Sequence, residues 1–235
     1  MANLRAAYSP SFSCGYLPGR EERCLFIPPQ AELNASAYDE LLARGFRRSG
    51  EQLYAPRCSG CQACLPLRIP VAEFRPSSSQ KRVLKRSSNW HSRVVMDADW
   101  QTYWPLFDAF VTLRHGDGGM YPPQFNAMIS FLNCSWLPPR ALEIYSQQTL
   151  VAVLIMDVTP KAISAVYTFF SPDFSEFSPG VMAVLKLMAW AKAEGFEHVY
   201  LGFQIDDCRK MNYKRNFRPY EILLDDCWQR PAEAP

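Results

Sequence analysis

The chain has 235 residues, of which 48% are hydrophobic and 20% are charged, and its formal net charge is +2. This composition excludes a disordered or fibrous protein, and the small net charge excludes a protein that is basic over its whole surface. The sequence has no run of 18 apolar residues and no apolar segment near its first residue. We therefore expect a cytoplasmic protein without a membrane-spanning helix or a signal peptide.

The first 90 residues predict a smaller α+β domain that contains most of the cysteines. Ser36 suits the N-cap of a short helix, and Gly45 suits its end. The predicted elements are a strand at 25–27, a helix at 36–44, a hairpin at 46–54, a strand at 65–74 and a helix at 80–89.

Residues 91–235 predict a second α+β domain. Its expected elements are helices at 99–113 and 123–132, strands at 141–145, 150–158 and 162–170, a helix at 180–194, a strand at 198–203, a short basic helix and a strand at 220–224. This order is that of GNAT-type acyltransferases, whose sheet splays after its fourth strand and admits an acyl donor. The segment 177–182, which would hold the coenzyme A pyrophosphate, has one glycine and no nearby cation, so we expect a different donor.

Positive charge is concentrated in two segments. Residues 68–93 contain seven Arg or Lys residues and a single Glu, which predicts either an anion-binding patch or a solvated basic helix face. In the second segment, 209–218, aromatic residues alternate with cations, as they do in many nucleic-acid sites.

Three cysteines, Cys58, Cys61 and Cys64, form a C-x₂-C-x₂-C run whose turns return each thiol to the same side. Three ligands are too few for a closed zinc site, so Cys14 or Cys24 is the candidate fourth ligand, with Cys14 preferred. A zinc ion, an iron–sulfur cluster or a group of packed thiols without metal would each fit this pattern. In the cytosol we expect thiols rather than disulfides.

Together these features resemble the arginyl-tRNA–protein transferase family, in particular its bacterial aspartate/glutamate leucyltransferase branch. The resembling stretches are Cys14-Gly-Tyr-Leu-Pro-Gly-Arg20, Gly45-Phe-Arg-Arg-Ser-Gly50, Cys58-x-x-Cys61-x-Ala-Cys64-x-Pro66-x-Arg68, Val71 to Arg82, Arg114-His115-x-Asp117-Gly118, Met120-Tyr-Pro-Pro123, Ala165 to Phe170, Val199-Tyr-Leu-Gly202, Cys208 to Lys214 and Phe217-Arg-Pro219.

The resemblance implies transfer of leucine from leucyl-tRNA to the N-terminal Asp or Glu of proteins, which marks them for degradation, and it implies no required cofactor. Its partners would be an aminoacyl-tRNA and the acceptor protein. Three alternatives remain open from the sequence: arginyl transfer by the same chemistry, a non-catalytic RNA-binding module with a zinc knuckle, and an N-acyltransferase that uses coenzyme A.

The chemistry of this reaction suggests roles for particular side chains. The donor is an activated ester, and the acceptor is an α-amine with an ordinary pKa of about 8, so the enzyme must align the two groups and deliver a proton to the leaving ribose oxygen. Asp206 and Gln204 end the strand that splays, with Asp207 beside them, and they are candidates to orient the amine. The candidate proton donors or ribose ligands are Tyr167, Tyr213 and His115.

The remaining candidates bind substrate. Cations at Arg209, Lys210 and Lys214 suit the acceptor carboxylate or the 3′ phosphates of tRNA. From the family motifs we add Tyr16, Arg20, Arg114 and Asp117 as substrate-binding residues. The expected contacts to the tRNA backbone are Arg75, Ser79, Lys81, Arg82, Lys85 and Arg86.

Overall fold

The computed structural model describes residues 4–30 and 32–231. The helices of this part of the chain are α1 (Ala35–Ala43), α2 (Ser78–Arg86), α3 (Trp100–Arg114), α4 (Phe125–Leu132) and α5 (Pro179–Ala193), with 3₁₀ turns at Pro172–Phe177 and Asn212–Asn216. The strands are β1 (Ala7–Tyr8), β2 (Phe12–Ser13), β3 (Glu21–Glu22), β4 (Cys24–Ile27), β5 (Arg47–Ser49), β6 (Gln52–Pro56), β7 (Leu65–Pro70), β8 (Trp90–Val95), β9 (Arg140–Ser146), β10 (Thr149–Val158), β11 (Ala162–Phe170), β12 (His198–Gln204), β13 (Glu221–Leu224) and β14 (Cys227–Gln229).

One large mixed sheet organises the molecule, with strand order β14–β13–β7–β12–β11–β10–β9–β8. Strand β7 comes from the N-terminal part of the chain, yet it pairs with both β12 and β13 inside this sheet. A smaller sheet, β1–β4–β6–β5, and the hairpin β2–β3 complete the strand pairing of the described residues. The architecture confirms the predicted α+β class, whereas the division of the chain at residue 90 stays a prediction.

Helices cover both faces of the large sheet. Leu154 and Met156 of β10 pack into a core that includes α5, while Val153 and Ile155 pack into a core that includes α3 and α4. Successive side chains of a strand point to opposite faces, so one strand contributes to both cores. A third core joins α1 and the smaller sheet to residues of β11 and β12.

A buried ion pair ties the smaller sheet to the large one. The guanidinium of Arg48 on β5 contacts the carboxylate of Asp157 on β10 at 2.7 Å, and both side chains are fully buried. Arg48 also donates to the carbonyl oxygens of Gly50, Leu132 and Asn133, so its hydrogen bonds are satisfied in the interior. A Cβ on Gly50 would collide with the Ser130 carbonyl oxygen, which explains the glycine at this contact.

The predicted elements agree with the structure apart from a few local features. Helix α1 is capped by Asn34 rather than by Ser36, because the Asn34 side chain accepts from the Ala37 amide. Helix α2 begins at Ser78 behind a Ser77–Gln80 capping box and ends at Arg86, before the predicted end at 89. Strand β7 ends at Pro70, before the predicted end at 74. The sequence analysis missed the edge strands β8 and β14 and the two-residue strands, since such short or half-exposed segments show little periodicity.

Within 4–30 and 32–231, no helix combines the length and the apolar character that crossing a membrane requires.

Candidate active site

The large sheet splays between β11 and β12. These parallel strands pair only at 162–164 with 198–200, although β11 continues to Phe170 and β12 continues to Gln204. At the same point the pairing of β12 with β7 shifts between Tyr200 and Gly202, and Gly202 has φ +84°, which favours glycine. Beyond these residues the two strands are no longer paired, which leaves an opening between β11 and β12 that we call the cleft. The GNAT-like arrangement expected from the sequence stays a prediction.

Gln204, at the end of β12, has an unusual hydrogen-bonding state. Its side chain is only 3% exposed, and its Nε2 donates to Asp206 Oδ1 at 3.0 Å. Its Oε1 is buried without a hydrogen-bond partner in the part of the chain that the structure describes. A buried amide oxygen without a partner is costly, so it is a candidate acceptor for an N–H or O–H group of a bound substrate.

The loop after β12 folds back on this position. Asp206 is exposed and its carboxylate also lies 3.3 Å from the Arg215 guanidinium. The Asn212 side-chain amide donates to the Asp206 carbonyl oxygen at 3.2 Å. Arg215 and Asn212 therefore hold Asp206 beside Gln204. Asp207, the next residue, is exposed.

Lys214 is placed differently from the other cations of its segment. It is 6% exposed, and its Nζ donates to the Phe203 carbonyl oxygen at 2.6 Å. Burial, followed by the nearby charge of Arg47, lowers the pKa of Lys214 to about 7. Lys214 thus binds the backbone near the end of β12 from a buried position, whereas Arg209 and Lys210 are exposed.

Arg47 on β5 lies under the same strand and was not singled out by sequence. It donates to the carbonyl oxygens of Leu67 and Gly202, at 3.5 and 3.4 Å, and its guanidinium lies over the rings of Tyr200 and Phe203. Burial lowers the pKa of Arg47. The available signal was a pair of consecutive arginines in a short predicted hairpin, directly after Phe46.

A second loop, after α3, contacts the loop after β12. The Lys210 ammonium lies 3.4 Å from both carboxylate oxygens of Asp117, and this pair is exposed. Lys210 lowers the pKa of Asp117. Burial, followed by the charge of Lys210, lowers the pKa of His115, so its imidazole is neutral at neutral pH. Arg114 instead donates to Ser175 Oγ at 3.3 Å.

Tyr167 lies on β11, on the other side of the splay. Rings of Phe107, Phe110, Phe131 and Phe169 surround it, and burial raises the pKa of its hydroxyl to about 12. The hydroxyl therefore keeps its proton at neutral pH. Tyr213, in the loop after β12, is 41% exposed.

Five cysteines line one open cavity of about 750 Å³ near the end of β12, together with Tyr16: Cys14, Cys24, Cys58, Cys61 and Cys64. The Cys14 sulfur accepts from the amides of Tyr16 and Leu17, and Cys58 accepts from the Arg23 amide. Burial and the neighbouring thiols raise the pKa of Cys64 to about 12. Arg20 is exposed at the turn of this segment, where its carbonyl oxygen accepts from the Cys14 amide.

The sulfurs are not arranged as a preformed metal site. Among the described ranges 4–30 and 32–231, no group of three or more His, Cys, Asp or Glu residues has a geometry that could hold a metal ion. The raised pKa of Cys64 keeps that thiol protonated at neutral pH. Metal ligation by Cys14, Cys58, Cys61 and Cys64 stays a prediction.

Helix α2 presents its basic side chains to solvent. Ser79, Arg82, Lys85 and Arg86 line a shallow cavity of about 700 Å³ together with Ser178, the residue before α5. Lys81 is also exposed, while one Arg75 nitrogen donates to the carbonyl oxygens of Ala72 and Phe74. Val83 and Gln80 occupy the buried side of the helix. The cations thus form one face of an amphipathic helix.

Two family models match this chain. One is described as arginine-tRNA-protein transferase, N terminus, and covers residues 12–82; the other is described as the C terminus of the same protein and covers residues 102–224. A protein from Pseudoalteromonas atlantica named aspartate/glutamate leucyltransferase is 43% identical over 96% of this chain and 97% of its own length. A protein of the same name from Aeromonas hydrophila is 39% identical over 99% of this chain and 97% of its own.

Among solved structures, a conserved protein of unknown function from Bacteroides thetaiotaomicron is similar in fold. The likeness covers 68% of this chain and 57% of that one, with a TM-score of 0.53 and 11% identity. At this identity the likeness shows the fold alone.

Proposed function

Because this chain belongs to the arginine-tRNA-protein transferase family, we propose that it transfers leucine from leucyl-tRNA to the N-terminal α-amine of proteins that begin with Asp or Glu. The observation that carries the proposal is the near full-length similarity to relatives named aspartate/glutamate leucyltransferase. The product would have a new N-terminal leucine, which would mark the protein for degradation.

The reaction needs no covalent enzyme intermediate. The lone pair of the acceptor amine attacks the carbonyl carbon of the leucyl ester, so a C–N bond forms and the ester C–O bond breaks. The electrons of the broken bond stay on the ribose oxygen, and a proton from the amine must reach that oxygen. The enzyme therefore contributes alignment and proton transfer.

We assign the cleft between β11 and β12 to the reacting groups, in a GNAT-like arrangement. The unpartnered Oε1 of Gln204 would accept an N–H from the α-amine and turn its lone pair toward the ester. The Asp206 carboxylate, held by Gln204 and Arg215, would receive the positive charge that develops on the amine during attack. Lys214 and Arg47 hold the backbone of β12 under these groups.

A proton donor for the ribose oxygen is available on the opposite strand. Tyr167 keeps its proton because burial raises its pKa. A neutral tyrosine in an apolar environment can donate a hydrogen bond to a developing alkoxide. Neutral His115 and exposed Tyr213 are the other candidates for contacts to the ribose.

The carboxylate of the acceptor side chain requires a cation. Lys210 and Arg209 are exposed on the loop after β12, whereas the ammonium of Lys214 is committed to the Phe203 carbonyl oxygen. Lys210 already contacts a carboxylate, that of Asp117, so an Asp or Glu side chain of the acceptor would take the place of Asp117. We therefore favour Lys210 over Lys214 for acceptor recognition.

The basic face of α2 supports binding of the tRNA backbone. Arg82, Lys85 and Arg86 converge on the cavity beside Ser178, and the described residues that line this cavity include no carboxylate. Phosphates bound there would release counterions, which is the main sequence-independent source of nucleic-acid affinity. With its cations on this face, the protein would recognise the shape and the charge of the tRNA backbone.

A transfer assay tests the proposal. The protein is incubated with radiolabelled leucyl-tRNA or arginyl-tRNA and with peptides that begin with Asp, Glu, Lys or Arg, and in a parallel reaction with labelled acetyl-coenzyme A. We expect label from leucyl-tRNA on the Asp and Glu peptides. Transfer from arginyl-tRNA or acetyl-coenzyme A alone, or transfer only to Lys and Arg peptides, would contradict the proposal.

A further inference from the structure

The large cavity near β12 has features beyond its cysteines. Its volume of about 750 Å³ lies in the range of ligand-binding clefts, and it opens to solvent. Two aromatic side chains at its mouth, Phe12 and Tyr16, are 46% and 39% exposed. Large exposed aromatic side chains next to a cleft are typical of surfaces that bind another chain.

The cavity adjoins the proposed reaction site. Phe203, the residue before Gln204, lines it, and so does Leu65, which is paired with Gln204 across the β7–β12 ladder. Residues of the loop after β12, Ile205 and Cys208, pack on Cys14 and Cys64 of the cavity wall. A polypeptide whose N-terminal amine lies at Gln204 would therefore have this cavity within reach of its following residues.

The charge of the cavity is opposite to that of Lys210. Four carboxylates line the cavity, those of Glu21, Glu22, Asp225 and Asp226. Among the described residues that line it, Arg57 is the single cation. The cavity would repel an acidic N-terminal residue, which Lys210 would attract. The cavity would instead attract basic residues.

We propose that this cavity binds the segment of the acceptor protein that directly follows the N-terminal Asp or Glu, and that it selects acceptors with Lys or Arg in that segment. The inference rests on the proposed function, because it assumes that the acceptor amine is at the end of β12. The opposed charges of Lys210 and the cavity orient the acceptor chain, while Phe12 and Tyr16 provide apolar contact area. Acceptors with acidic residues after the first position are disfavoured.

Binding and transfer are measured separately. Peptides of sequence Asp-Lys-Lys-Ala-Gly and Asp-Glu-Glu-Ala-Gly, labelled with a fluorophore at the C-terminus, are titrated with the full-length protein in the absence of tRNA, and anisotropy gives the dissociation constants. The same peptides then serve as acceptors for radiolabelled leucyl-tRNA. We expect the basic peptide to bind about tenfold more tightly, since several partly screened charges contribute.

Variants at the cavity test its role. Gln62 is an exposed lining residue, so Gln62→Glu adds a negative charge and Gln62→Lys adds a positive one at the same position. Asp225 and Asp226 have φ of 50° and 60°, a conformation that asparagine tolerates, so the double variant Asp225→Asn, Asp226→Asn keeps the turn. Asp97→Asn removes an exposed carboxylate that does not line the cavity and serves as the control.

The proposal requires that Gln62→Glu increase the preference for the basic peptide. Gln62→Lys and the double asparagine variant should each reduce this preference to about threefold or less. Asp97→Asn should leave the preference unchanged. Equal affinity of the wild type for both peptides, or a preference that none of the cavity variants changes, would overturn it. If the wild type binds the basic peptide selectively but transfers no leucine, the proposed function fails while the cavity still selects basic peptides.

Discussion

The Gln204 side-chain amide donates to the Asp206 carboxylate across 3.0 Å, and its own oxygen is buried without a partner among the described residues. One end of the amide is therefore fixed by the protein, and the other end has no partner within the described residues. Gln204 lies where β12 has separated from β11, and this position is the basis for the role that we propose for it as a pre-oriented acceptor.

Replacing Gln204 by leucine should impair the transfer step. Gln204→Leu keeps the approximate side-chain volume but removes the acceptor of the amine N–H, so we expect kcat/KM for an Asp-starting peptide to fall about 10- to 100-fold. The dissociation constant for leucyl-tRNA should remain unchanged. Asp97→Asn, at an exposed carboxylate outside the proposed site, is the control and should keep nearly full activity. A kcat/KM of Gln204→Leu within about twofold of the wild type would refute the role assigned to Gln204.

Removing the charge of Lys210 should weaken acceptor recognition. Lys210→Gln keeps most of the length of the side chain and loses a charge-assisted hydrogen bond, so we expect KM for Asp- and Glu-starting peptides to rise about tenfold or more. The KM for leucyl-tRNA should change little. Lys161→Gln, at an exposed cation of the β10–β11 turn, is the matched control. An unchanged acceptor KM in Lys210→Gln would assign the carboxylate to another cation.

Removing charge from α2 should reduce the salt dependence of tRNA binding. In the double variant Arg82→Ala, Arg86→Ala, we expect the slope of the logarithm of the tRNA association constant against the logarithm of the salt concentration to become less steep. The change should be roughly 0.7 to 0.9 for each phosphate that the variant no longer neutralises. The double variant Lys161→Ala, Lys192→Ala removes the same number of exposed charges elsewhere and should keep the slope. Filter-binding titrations between low and moderate salt measure the slopes of both double variants. Equal slopes for the two double variants would reassign the basic face of α2 to solvation.

Lys214 should make the stability of the protein depend on pH. Its pKa is about 7 in the folded protein and near 10.5 when unfolded, so between these values the unfolded chain binds one more proton. This contribution to the free energy of unfolding therefore rises with pH from about 7 to about 10. In Lys214→Met that rise is absent because methionine does not titrate, and the hydrogen bond to Phe203 is lost at every pH.

Urea unfolding of the wild type and of Lys214→Met at pH 7 and pH 9 measures the difference. We expect the gap, which is the unfolding free energy of the wild type minus that of Lys214→Met, to be larger at pH 9 than at pH 7, because only the wild type gains stability as the buried amine becomes neutral. Lys192→Met, at an exposed position on α5, should show no such change. A gap that is equal at both pH values would show that Lys214 does not titrate in this range.

Much of the fold was accessible from the sequence because its elements have clear periodicity. Strand β11 was predicted with its actual bounds, and helix α3 was predicted within one residue of its bounds at each end, since apolar spacing is a local property. The family motifs were also readable, because they depend on residue types at short spacing. The N-cap of α1 was wrong, since Asn34 and Ser36 both suit a cap and only the backbone conformation distinguishes them.

The candidate site depended more on tertiary structure. Lys210 and Lys214 belong to one basic segment and look equivalent in sequence, yet one is exposed beside Asp117 and the other is buried against Phe203. Arg47 and Arg48 are adjacent on β5, where alternation predicts one exposed side chain, but both are buried because the smaller sheet packs against the large one.

The sequence by itself determined the α+β class, most of the helices and strands, and the family. Only the tertiary structure decided that β7 lies between β12 and β13, and that the Gln204 side-chain oxygen is buried without a partner among the described residues. It also decided that cysteines and carboxylates share one cavity near the end of β12. The physical reason is the range of the interactions. Periodicity and capping act over a few residues, whereas burial, orphaned hydrogen-bonding groups and opposed charges depend on how separate segments of the chain pack together.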